Sequence, residues 1–122
     1  MPGKKKQRIE LVGVEKWTVE FLDERVEAEF DEFTADIKAE FVRISEMIAE
    51  VGLQDVSYPH VAHVNGKIWE MRARDKNGWG RLLYCTVKGR KVIILRAFSK
   101  KTNKTPQKEI ETATERMKSI SK

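Results

Sequence analysis

The stretch Lys67–Phe98, KIWEMRARDKNGWGRLLYCTVKGRKVIILRAF, decides the fold. Asn77-Gly78 and Lys88-Gly89-Arg90 divide it into three runs, each rich in β-branched, aromatic or aliphatic residues. Turns of this kind join neighbouring antiparallel strands. The stretch therefore predicts a meander of Ile68–Arg74, Arg81–Val87 and Lys91–Phe98. Period-2 geometry puts Trp69, Met71 and Ala73 on one face and Glu70, Arg72 and Arg74 on the other. The same count sets Arg81 opposite Leu82 and Tyr84, and places Arg96 with Ile94 and Phe98, opposite Leu95 and Ala97.

Working toward the N-terminus, Gln54–Lys67 reads as a loop, with Pro59 inside it and Asn65-Gly66 near its end. Before the loop, apolar residues recur at Val26, Phe30, Phe33, Ile37, Phe41, Ile44, Ile48 and Val51. Steps of three and four mark a helical stripe. Thr34 suits an N-cap, with Asp36 in the turn that follows. The stripe thus predicts a short helix, a turn near Phe33–Asp36 and a second helix closed by Gly52. Ahead of it, Trp17, Val19 and Phe21 alternate with polar residues as in a strand. Beyond the meander, Pro106 suits the first turn of a closing helix with Thr105 as its cap. Ile110, Ala113, Met117 and Ile120 form that helix's apolar stripe. The expected fold is α+β: an antiparallel sheet with a helical pair packed on one face and a C-terminal helix.

The chain has 122 residues, 40% hydrophobic and 35% charged, which fits one soluble domain at residues 16–122 behind a basic arm at 1–15. No run approaches the roughly 18 apolar residues of a membrane span. MPGKKKQR lacks the apolar stretch of a secretory leader. The single cysteine, Cys85, excludes an intramolecular disulfide and makes a reducing cytoplasm the default. Cys85 has no evident base partner, so a thiol nucleophile is not expected. His60 and His63 have neither the spacing nor a third ligand for a metal, and no cofactor or metal is expected.

The net charge of +5 hides an asymmetry. Residues 1–66 carry 8 Lys/Arg against 14 Asp/Glu, whereas residues 67–122 carry 16 against 5. Arg72, Arg74, Arg81 and Arg96 fall on one expected sheet face, which leads to Lys100, Lys101 and Lys104. An open sheet face is polar in any case. This one is nearly all cation, with Glu70 its one carboxylate, and clustered arginines match phosphate geometry. Tyr84 falls on the core side. Phe98, beside Arg96, could serve either the core or a nucleobase.

Three features together are similar to the RelE/ParE superfamily of bacterial toxins, in its HigB-like, phage-derived branch: WEMR opening a hairpin, GRLLY on its second strand, and FSKKTNKTPQKEI after the third. The likeness runs from Trp17 to the end and is strongest over Ile68–Met117. It implies the RelE-like fold, and a ribosome-dependent endoribonuclease that cuts mRNA and is silenced by a cognate antitoxin, with no membrane involved. By motif, the resemblance implies catalytic roles for Arg72, Arg81, Lys100 and Lys101. Arg74, Arg96, Phe98, Lys104 and His63 are expected to bind RNA. Where many relatives carry histidine, this chain has Arg96, and arginine cannot act as a base at neutral pH. A lysine crowded by other cations can. A ParE-like gyrase inhibitor and a non-catalytic nucleic-acid-binding phage accessory protein are the rival expectations.

Overall fold

The structure, a computed structural model, describes residues 16–56, 60–100 and 104–120. The arm expected at residues 1–15, Pro59 and Lys101 lie outside the described residues, as does the side chain of Lys100. The elements are β1 (Thr18–Phe21), α1 (Glu24–Asp31), α2 (Ala35–Val51), a 3-10 turn (Leu53–Asp55), β2 (Val61–Asn65), β3 (Ile68–Asp75), β4 (Gly78–Val87), β5 (Lys91–Lys100) and α3 (Gln107–Met117).

The helical pair forms, and its second helix starts where the sequence places it. Asp23 caps α1 by accepting from the backbone N–H groups of Arg25 and Val26 at 3.0 and 3.3 Å. Thr34 Oγ1 caps α2 through Ile37 N at 3.2 Å. Gly52, at φ 91°, ends α2 by returning its N–H to Ile48 O at 2.8 Å. This left-handed conformation favours glycine. The closing helix differs from expectation. Pro106 itself takes the N-cap position of α3 without a side-chain cap, and the Thr105 hydroxyl is engaged elsewhere.

The sheet has five strands in the order β1-β5-β4-β3-β2. The meander is antiparallel throughout, but β1 pairs with β5 in parallel, from Thr18↔Lys91 to Phe21↔Ile94. The region expected to be all loop contains β2, an edge strand that pairs Val61 with Met71 and His63 with Trp69. VAHVN is too short for its periodicity to stand out, and pairing with β3 rather than local preference makes it a strand.

One sheet face packs on the helical pair, with Phe41, Ile44 and Ile48 of α2 against Met71, Leu82 and Ile94. The opposite face was expected to be an open cationic wall, and here the expectation is corrected. Ile68, Leu83, Cys85, Leu95 and Phe98 form a second core that α3 closes through Ala113. The amphipathic stripe of α3 could not be satisfied on a face already covered by α1 and α2. Burial here raises the pKa of the Cys85 thiol, and on the first face it raises that of the Tyr84 phenol. Phe98 belongs to this second core and is not available as a stacking platform.

A β-bulge makes the two cores compatible. Leu83 pairs with Arg96 and Tyr84 with Ile94, so Leu95 is an extra residue in β5. Beyond it the side-chain parity resets. Arg96 therefore shares a face with Leu95 and Phe98, not with Ile94 as strict alternation requires. Small Ala97 is thereby placed under the helical pair.

Past Ile94, β5 loses its β1 partner and Glu29 takes over. Its Oε1 accepts from Ala97 N at 3.2 Å, while Arg116 donates to Leu95 O at 2.9 Å. Helices α1 and α3 thus satisfy backbone groups of a strand edge that would otherwise be open.

Candidate nucleic-acid interface

Glu70 is the centre of the charged side of the sheet, although its side chain is only 1% exposed. Its Oε2 accepts from Arg81 at 2.8 Å and from Arg72 Nε at 2.6 Å. Its Oε1 accepts from Thr105 Oγ1 at 2.6 Å. Arg81 NH1 also lies 3.3 Å from Thr105 Oγ1. The register explains the convergence: Arg72 sits directly across from Arg81, and Glu70 lies two residues along on the same face. One carboxylate between two guanidiniums leaves a net positive charge. Thr105 follows the segment that leaves β5, so its bond to Glu70 anchors the chain just before α3.

The expected site residues do not form one wall. Arg81 has 0% side-chain exposure, which places it behind the surface as a support. Arg72 is 16% exposed and is the arginine of this group that reaches toward solvent. Arg74 is exposed, as is Lys104. Arg96 is bound by Glu109 at 2.6 Å and Glu29 at 2.9 Å, so two carboxylates neutralise it. The Glu109 contact is the main cause that raises its pKa, against opposing desolvation. His63 is separated from the arginines altogether. It pairs with Trp69 on the opposite sheet face, bonds Gly66 O through Nε2 at 2.8 Å and has its ring centroid 4.9 Å from that of Trp69 in a tilted, edge-on contact.

Among the described residues, Arg74 and Trp79 remain accessible at the β3–β4 hairpin end. Arg74 and Trp79 pair across the strands, with the guanidinium 5.2 Å from the indole centroid. In the next pair, Trp79 stands opposite Lys100. The hairpin end is fixed from behind: Asp75 accepts from Asn77 N and from Thr34 Oγ1, each at 2.8 Å. These bonds, the backbone one foremost, hold the Asp75 carboxyl below its usual range. Preorganised cations around a shallow surface can relieve charge on a phosphodiester.

A model of the phage-derived Gp49-like proteins matches residues 28–118. The chain belongs to that family. This Gp49-like protein has the RelE fold: a free-state structure of an E. coli toxin RelE mutant superposes with a TM-score of 0.53 and 14% identity, over 86% of this chain and 98% of that one. No curated protein matches it.

Sequence reading of the Gp49-like chain missed Glu70 and Thr105 as parts of the site, and Trp79 as an accessible aromatic. Glu70 carried a signal, as the one carboxylate on a face of cations. Thr105 carried none, because its partner is 35 residues away.

Proposed function

We propose that this chain is the toxin of a type II toxin–antitoxin pair, HigB-like in action, that cuts mRNA on the ribosome in the cytoplasm without a metal. The Glu70 anchor carries this reading. It holds Arg72 and anchors Thr105, which follows Lys100, Lys101 and Lys104 in the chain, with Arg74 exposed on the same sheet face. Membership of the Gp49-like family and the RelE fold support it.

Cleavage by the RNA's own 2′-hydroxyl needs a proton removed, in-line geometry, charge relief and a protonated leaving oxygen. Arg72 supplies charge relief. Arg81, buried behind it, acts as a positioning residue through Glu70. A lysine among Lys100, Lys101 and Lys104 would serve as the acid–base group. The ribosome would hold the strand in line. An antitoxin that covers Arg72, Arg74 and the lysine loop would silence the activity.

The test is brief expression of the chain in a bacterium, with mRNA ends mapped on translated and untranslated copies of one message. New ends confined to the translated copy, and lost with Arg72→Ala, are expected. Growth arrest with intact mRNA would point to gyrase instead, and neither arrest nor cuts to a binding module.

A further inference from the structure

The hairpin end holds a feature that charge relief does not require. Arg74, Asp75, Lys76, Asn77, Gly78 and Trp79 line a shallow cavity of about 330 Å³. Trp79 is half-buried there, outside both hydrophobic cores. Its position is imposed from the other side of the sheet. A Cβ on Gly80 would lie 2.7 Å from Ile37, 3.1 Å from Phe33 and 3.2 Å from Phe41, so α2 rests directly on the backbone there. With Gly80 pinned under the helix, strand alternation directs Trp79 to the opposite face, beside Arg74.

We propose that Trp79 and Arg74 form a nucleobase-stacking subsite for single-stranded RNA. The proposal rests on the RNA-directed reading above. An unpaired base entering the cavity extends the stack that Arg74 and Trp79 begin, and indoles and guanidinium planes are both surfaces on which splayed RNA bases stack. Its polar edge meets the side of the cavity formed by Lys76 and Asn77. The strand then runs across the sheet end toward Arg72. Cations there bind phosphates whatever the sequence, whereas a stacked base fixes the register of the strand. The subsite thus sets which phosphodiester is presented.

The test compares binding of a short single-stranded oligouridylate with its abasic counterpart, alongside mapped cleavage in a cell-free translation reaction. The wild-type chain should prefer the base-bearing strand. Trp79→Leu, which keeps apolar volume without a π face, should lose roughly 5- to 150-fold in affinity for it, the range of one base–aromatic stack. Its affinity for the abasic strand should be unchanged, which also shows that the variant is folded. Trp79→Phe should retain most of the preference. Equal affinity of the wild-type chain for the two strands would overturn the subsite, even if mRNA is cut. A base preference that Trp79→Leu leaves intact would overturn it too. Base-dependent binding without cleavage would uphold the subsite and count against the endonuclease.

Discussion

Glu70 and Arg81 meet at 2.8 Å across β3 and β4, with 1% and 0% of their side chains exposed. A buried pair of this kind adds little over a well-packed apolar pair, but breaking it strands a charge. Glu70→Leu alone should therefore cost roughly 3–5 kcal/mol of stability. Adding Arg81→Met should restore a large part of that loss. Urea unfolding of both single variants and the double variant measures the coupling. Additive losses would mean that the two side chains do not act as a unit.

Thr105→Val removes the hydroxyl that links Glu70 to the loop while keeping the side-chain shape. Stability should fall by about 1–3 kcal/mol, as expected when a bond to a charged group is lost. Cleavage should fall further than that loss of folded protein explains. Message cleavage measured well below the midpoint of unfolding separates the two effects, and unchanged cleavage would detach the anchor from the chemistry.

Gly80→Ala should destabilise by roughly 1–3 kcal/mol, the usual penalty of overpacking a filled core. The new methyl would sit 2.7 Å from Ile37 Cγ2 and within 3.2 Å of two phenylalanine rings. Thermal unfolding reads it directly. A neutral result would show that α2 can move off the sheet.

Glu29 gives stability an acid limb. Its burial opposes ionisation, but hydrogen bonds from Arg116, Ala97 N and Arg96 outweigh this and lower the pKa below the ordinary 4.5. A depressed carboxyl contributes stability that is full above its unfolded pKa and lost as pH falls through the folded value. Wild-type stability should thus decline with acidification below about pH 5, starting near the ordinary carboxyl range. Glu29→Gln should be less stable at neutral pH and should show a shallower decline. Unfolding midpoints measured from neutral to strongly acid pH check both, and parallel curves would exclude Glu29.

Lys100→Ala with Lys101→Ala should weaken RNA binding and reduce its salt dependence. Each phosphate contact on a single strand contributes a slope of about 0.7, so the pair should lower it by about 1.4. Affinity measured across a salt series gives the slope directly. An unchanged value would remove both lysines from the interface.

Trp69 shows how far local pattern carries. Its alternation with Met71 and Ala73 is real, and all three share a face. The same pattern implies a buried ring, yet Trp69 is 39% exposed, because β3 is followed only by the short edge strand β2. Strand parity is a local property, whereas depth depends on what is packed above. Trp69→Ala should consequently cost well under the roughly 3–5 kcal/mol of a buried aromatic.

The sequence by itself determined the meander, the helical pair with its Thr34 cap and Gly52 stop, and the placement of Arg72, Arg74 and Arg81 on one sheet face. Turn chemistry, capping and periodicity act within a few residues, so they are written where they operate. Only tertiary structure decided that α3 would cover the arginine face, that a bulge at Leu95 would reset β5, and that β2 would form an edge. It also decided which cations stay available. Arg96 is neutralised by Glu29 and Glu109, and Arg81 is buried on Glu70, while Arg72 and Arg74 face outward. Each of those outcomes depends on a carboxylate or helix brought from a distant part of the chain, and charge can be counted in a sequence without revealing which charges meet.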